Sequence, residues 1–251
     1  MEALIRIENL RKSYNEQVVL DGVDFIVPRG KIVVVMGGSG VGKTVLLKHM
    51  IGLLKPDSGR IFVDGVDICR ISSRQMREVR KRFGMLFQGA ALFDSMTVGD
   101  NVAFPLREHT RLKESEVRSR VAARLNEVGL HGVENKYPSE LSGGMSKRVG
   151  LARALALEPE IVLFDEPTTG LDPVLSDVIT DLILETQRRL GITFVIISHD
   201  VKGAFRLADR IAMLYKGKLI AEGTPEEIET SANPVLQQFL AGNSEGPVKL
   251  V

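Results

Sequence analysis

Gly37-Gly38-Ser39-Gly40-Val41-Gly42-Lys43-Thr44 sits between a Val/Ile-rich run, Lys31–Met36, and a stretch of helical spacing, Lys43–Leu54, closed by the turn residues Pro56 and Gly59. Strand, glycine-rich turn, helix is the setting in which the pattern G-x-x-x-x-G-K-[ST] binds phosphate. Glycines let successive backbone N–H groups curve around an anion, and the helix N-terminus adds the positive end of its dipole. Lys43 can then reach the β- and γ-phosphate oxygens, and the Thr44 hydroxyl can ligate Mg²⁺. The stretch predicts a nucleotide phosphate site on an α/β scaffold.

Upstream, Leu4–Asn9 and Val18–Val27 alternate or cluster apolar residues as strands do, so an antiparallel β portion is expected to open the chain. Downstream, Asp64–Gly65 reads as a turn and Gly84–Phe87 as a short strand. From about residue 89 to 157 strand-like runs are scarce. There Lys113–Val128 and Met145–Leu157 carry apolar residues at three and four spacing, which predicts an inserted helical subdomain. Strands return at Ile161–Phe164, Thr193–Ile197 and Ile211–Tyr215, with helices at Pro173–Leu190 and Asp200–Ala208. Residues 1–241 are thus expected to form one α/β domain, followed by an irregular tail at Gly242–Val251.

Composition narrows the function. Apolar residues make up 44% and charged residues 26% of the 251 residues, the profile of a globular protein. Lys plus Arg number 33 against 32 Asp plus Glu, so no net field favours nucleic acid. No secretory signal opens the chain, and apolar runs such as Ile32–Met36 are too short to cross a bilayer. Cys69 is the single cysteine, which excludes an intrachain disulfide and fits a reducing cytoplasm. His49, His109 and His131 stand in no metal-ligand pattern and read as structural or exposed.

Ile161-Val162-Leu163-Phe164 runs into Asp165-Glu166, placing two carboxylates at the end of a buried strand. Asp165 there can hold Mg²⁺ through water, and Glu166 can take a proton from an attacking water. Leu141-Ser142-Gly143-Gly144-Met145 lies about twenty residues earlier, with Ser142 suited to cap a helix whose first amides point at an anion.

With the phosphate loop upstream, this set resembles the ABC ATPases, whose signature loop Leu141–Met145 matches. The resemblance spans nearly the entire chain and implies a P-loop ABC ATPase core with an inserted helical subdomain. It implies ATP and Mg²⁺ as cofactors, and two ATP molecules sandwiched between two copies, with Ser142, Gly143 and Gly144 facing the γ-phosphate held by the other. It further implies Tyr14 as the adenine-stacking aromatic and Gln88 as the glutamine near Mg²⁺ and the attacking water. Asp172 in Gly170-Leu171-Asp172-Pro173 would couple the two sites, and His199 would bind γ-phosphate and orient Glu166. Val45 stands where most of the family carry a second hydroxyl, so one contact to the α-phosphate, worth about 0.5–1.5 kcal/mol, is missing.

Leu86–Val98 and Asn101–Thr110, with Lys43-Thr44-Val45, Leu141–Arg148, Gln238-Phe239-Leu240 and Gly246-Pro247-Val248, resemble the ATPases of Mla-type, Mce-linked phospholipid transporters. That implies a peripheral place on the cytoplasmic face of the inner membrane, with transmembrane permease subunits, a small regulatory subunit and an Mce-domain lipid-binding protein as partners. An ATPase of an amino-acid or ion importer is the nearest alternative. An ABC ATPase acting on DNA or ribosomes usually joins two ATPase halves or carries long coiled coils, and this chain has neither; an ATP-holding module without turnover is disfavoured by Glu166 and His199.

Overall fold

The computed structural model describes residues 2–247. In chain order the elements are β1 (Ala3–Tyr14), β2 (Gln17–Pro28), β3 (Ile32–Met36), α1 (Lys43–Met50), β4 (Ser58–Val63), β5 (Val66–Asp67), α2 (Ser73–Lys81), β6 (Phe83–Leu86), α3 (Val98–His109) and α4 (Glu114–Glu127). There follow α5 (Gly143–Leu155), β7 (Ile161–Asp165), α6 (Pro173–Leu190), β8 (Thr193–Ser198), α7 (Val201–Leu207), β9 (Arg210–Tyr215), β10 (Lys218–Gly223), α8 (Pro225–Glu229) and α9 (Pro234–Ala241). These pack into two units, one running to Met76 and resuming at Val195, the other spanning Arg77–Phe194.

In the first unit, β1 pairs antiparallel with β2 on one edge (Ile5 opposite Val27, Ile7 opposite Phe25) and with β4 on the other (Ile5 opposite Val63, Ile7 opposite Ile61). The strand order is β2-β1-β4-β5, and the alternating apolar residues of β1 supply its buried face. In a separate sheet of the same unit the order is β10-β9-β3-β8, with β3 and β9 parallel (Val34 opposite Ile211, Met36 opposite Met213). All of β3 and β8 is buried, the pattern of strands covered on both faces.

In the second unit β6 and β7 run parallel, from Phe83 opposite Ile161 to Leu86 opposite Phe164. Buried residues of α4 recur at Val117, Val121 and Leu125, one stripe of a helix face, and α3, α4 and α5 pack against one another. At Gly84 an added Cβ would come within 2.2 Å of the Ala154 carbonyl oxygen, so α5 crosses β6 at backbone distance. No strand falls between residues 89 and 157.

Several boundaries differ from expectation. The helix after the phosphate loop stops at Met50 instead of Leu54, because Ile51 leaves helical geometry and Gly52, at φ +66°, donates its N–H back to the His49 carbonyl. The strand expected at Gly84–Phe87 is shifted one residue toward the N-terminus. Helix α3 holds Pro105 and Gly99, both poor helix signals, yet Thr97 caps it by accepting the Asp100 N–H at 3.1 Å. Helix α2 buries only Val79 and leaves no apolar stripe to read. Residues 242–247 of the tail carry no regular structure, and 248–251 lie outside the described residues.

Candidate functional site

The first unit builds the phosphate loop. Strand β3 ends at Met36, and Gly37 turns the chain at φ +157°, where a Cβ would lie 2.5 Å from the Leu214 carbonyl oxygen. Gly42 caps α1 at φ +106° with its Cβ position 2.9 Å from the Val19 carbonyl oxygen, so a side chain at either glycine would displace the loop. Ser39 and Gly40 are exposed at its crest. Lys43 is buried, and its Nζ donates to the carbonyls of Gly37 at 2.8 Å and Gly38 at 3.0 Å, which puts the ammonium inside the curve of the loop. The first turn of α1 carries no acidic residue and no side-chain cap, so its dipole end is left for an anion.

Two more expected residues lie in this unit. Tyr14 ends β1 opposite Gln17; the residue is 44% exposed, with the Lys12 ammonium 5.4 Å from the ring centroid. His199 is exposed directly after β8, in a turn where Asp200 accepts the Gly203 N–H at 3.1 Å to start α7 and donates its own N–H to the Ser198 hydroxyl. His49 is fully buried one helical turn beyond Val45, to whose carbonyl its Nδ1 is bonded at 2.7 Å; burial holds its pKa below the ordinary imidazole value.

The second unit carries the acidic and signature residues. Asp165 and Glu166 are both buried at the end of β7, and Glu166 is bent to φ +50°, a left-handed geometry costly for a residue with a side chain. The turn holds that bend: Thr169 donates its N–H to the Glu166 carbonyl at 3.3 Å and its hydroxyl to Oε2 at 3.4 Å. Ser142 caps α5, as its position in the sequence predicts, by accepting the Met145 N–H at 3.3 Å. Ser142 and Gly143 are exposed, and the first turn of α5 has no acidic residue. Asp172 caps α6, its Oδ1 accepting from Val174 and Leu175, both at 3.0 Å. Gln88 is exposed just past β6.

Sequence reading missed the residues that tie these pieces together. Lys147, one turn into α5, is buried; its Nζ donates to the Gln88 carbonyl and lies 3.5 Å from the Glu166 carbonyl oxygen. Burial lowers its pKa, against the opposing pull of Asp165 and Glu166. Arg153, further along the same helix, donates to the carbonyls of Ala90 at 2.6 Å and Ala91 at 2.7 Å, holding two successive left-handed alanines. Asn101 is fully buried and bonds the Phe93–Thr97 segment. A Lys or Asn between apolar neighbours carries no sequence signal for burial.

Beside that segment lies a cleft of about 580 Å³. Phe83, Phe87, Phe93 and Phe104 give it an aromatic floor, Arg77, Arg80, Lys81 and Arg153 line it with positive charge, and no carboxylate lines it. The Phe93 and Phe104 rings pack tilted at 5.0 Å between centroids.

A phosphate loop after a buried strand, an acid pair after another, and a serine-capped Ser-Gly-Gly helix start define an ATP-binding cassette. The ABC transporter family model matches residues 20–169, and the chain belongs to that family as an ATPase. It is 48% identical over 246 residues to the intermembrane phospholipid transport system ATP-binding protein MlaF of Haemophilus influenzae, covering 98% of this chain and 93% of that protein. It is 46% identical to the "Probable ribonucleotide transport ATP-binding protein mkl" of Mycobacterium leprae, over 99% of this chain and 72% of that one. Among solved structures, the dimeric cassette MJ0796 in a post-hydrolysis state with ADP and Pi matches at TM-score 0.81 and 30% identity, covering 88% of this chain and 98% of that one.

Proposed function

We propose that two copies of this chain close around ATP and Mg²⁺ and use hydrolysis to drive a transmembrane permease that moves phospholipid. The observation that carries the two-copy reading is the start of α5. Ser142 and Gly143 are exposed and the first turn holds no acid, so its amides present a positive end to an anion outside the helix. The dimeric relative supports it.

In this reading Gly37–Thr44 hold the phosphates of one nucleotide, with Lys43 as the charge-assisted donor, Val45 giving only backbone contact, and Tyr14 stacking on the base. The second copy contributes Ser142, Gly143 and Gly144. Hard oxygen donors suit Mg²⁺, and the Thr44 hydroxyl, the Gln88 side chain and the Asp165 carboxylate acting through water would hold it, neutralising phosphate charge. Glu166, set by its left-handed turn, accepts the proton of the attacking water. His199 orients that carboxylate and contacts the γ-phosphate, while Gln88 and Asp172 relate the site to the rest of the dimer. Loss of the γ-phosphate removes the charge bridging the copies, and their opening moves the permease.

The aromatic cleft edged by Arg77, Arg80 and Lys81 suits a permease helix that offers an apolar face and an acidic residue. Identity of 48% over nearly full length on both sides supports phospholipid as cargo and a place on the cytoplasmic face of the inner membrane. A small regulatory subunit and an Mce-domain lipid-binding protein complete the expected assembly. Ribonucleotide, the cargo that the mycobacterial relative's name carries, is the second reading. Reconstitution of the chain with its copurifying permease in liposomes containing labelled phospholipid and, separately, labelled ribonucleotide tests it. ATP-dependent phospholipid movement is expected; movement of ribonucleotide alone would overturn the assignment.

A further inference from the structure

Lys147 directs its ammonium at two backbone carbonyls. Its ammonium, on a helix whose first residues are the signature, donates to the Gln88 carbonyl and lies 3.5 Å from the Glu166 carbonyl oxygen. An ammonium kept in the interior is costly, and here the two carbonyls and the attraction of the buried Asp165 and Glu166 carboxylates offset that cost. The contacts show what the charge does. Glu166 sits at φ +50°, a geometry that persists only where neighbours hold it. The turn supplies one set of restraints through Thr169, and Lys147 supplies another from the opposite element, α5. The same nitrogen fixes the chain at Gln88, three residues before Ala91 and five before Phe93, both of which line the aromatic cleft.

We propose that Lys147 is a positioning residue that locks the Glu166 peptide and the Gln88 segment to the signature helix, so that engagement of Ser142 by the second copy's nucleotide sets the proton acceptor. Lys147 touches neither nucleotide nor water in this account, and acts through the two carbonyls. The consequence is a division of effects: removal of the ammonium slows the chemical step, leaves nucleotide binding alone, and is repaired by another cation at the same place. A residue serving only packing would behave in the opposite way.

The proposal rests on Glu166 as the proton acceptor, so Glu166→Gln is run beside it. Lys147→Met keeps length and removes the donor; Lys147→Arg restores donors; Lys147→Gln is a shorter neutral donor that serves if the Met variant does not fold. In the full-length chain, Lys147→Met is expected to lower kcat about tenfold or more with KM for ATP within about twofold, and to lower the melting temperature because two carbonyls and two buried carboxylates lose their cation. Lys147→Arg is expected to recover kcat to within about threefold, and Lys147→Gln to fall between the two. Unchanged kcat in Lys147→Met, or in Lys147→Gln if the Met chain is insoluble, overturns the proposal. So does a loss of kcat, ATP affinity and melting temperature together with no recovery by Arg. Near-parental turnover in Glu166→Gln would instead remove the proton-acceptor reading, whatever Lys147 does.

Discussion

Asn101→Ala should release the loop that presents Phe93 to the aromatic cleft, the surface proposed to dock the permease. In the folded chain Asn101 is fully buried; its Oδ1 accepts the Phe93 N–H at 2.8 Å, and its Nδ2 lies 3.1, 3.2 and 3.0 Å from the carbonyls of Phe93, Met96 and Thr97. One amide has two N–H groups, so these contacts amount to three full bonds at most. At about 0.5–1.5 kcal/mol each, with part of the exposed loop rehydrating, the loss is about 2–4 kcal/mol. For a chain of this length that lowers the melting temperature by about 5–15 °C. Asn101→Asp keeps the acceptor but sets a charge against the carbonyls, and is expected to be worse. Calorimetry gives the stability, hydrogen exchange at the Phe93 amide gives the loop, and copurification with the permease gives docking. Permease binding should weaken while ATP affinity stays within about twofold, since no phosphate ligand is touched. A melting temperature within about 1 °C of the parent with the Phe93 amide still protected would refute the reasoning.

Further expected outcomes concern the nucleotide site and the fold. Lys43→Ala should weaken ATP binding, because a charge-assisted phosphate contact is lost; mixing this chain with a Ser142→Arg chain should restore some ATP-dependent pairing, since one intact composite site remains, and sedimentation shows whether it does. His49 has its pKa depressed by burial, so its neutral form contributes stability above the ordinary value of 6.5, and that contribution is lost as pH falls through the depressed value. Melting curves between about pH 8 and about pH 5 should therefore fall less steeply in His49→Leu than in the parent. Arg107 joins Asp100 and Glu114 at 2.8 and 2.6 Å on the exposed side of α3 and α4. Arg107→Ala should cost only about 0.5–1 kcal/mol in urea unfolding, and nothing once acid has protonated both carboxylates.

The parts readable from sequence were those where one residue type is obligatory. Gly37 and Gly42 leave no room for a Cβ, Ser142 caps a helix, and an unbroken apolar run such as Val33–Met36 or Ile161–Phe164 belongs in a doubly covered strand. Helix α6 was legible to both its ends because Pro173 opens it and Gly191 closes it at φ +65°. What stayed hidden depends on tertiary context. Helix α3 overrides Pro105 and Gly99 by packing Val102 and Leu106, and α2 lacks an apolar face to betray it. Lys147 and Arg153 look like ordinary solvent-facing charges in a helix, and only the crossing of α5 over β6 at Gly84 turns them toward backbone carbonyls. The left-handed bend at Glu166 is likewise invisible, although the carboxylate itself is plain.

Single-turnover phosphate release from Glu166→Gln, measured with ATP affinity and dimer formation on the same preparation, tests the central claim most directly. The claim predicts release slowed at least about 10²-fold, ATP affinity kept, and an ATP-bound dimer that accumulates because the charge bridging the two copies persists. Release near the parental rate, or slow release without an ATP-dependent dimer, would contradict it.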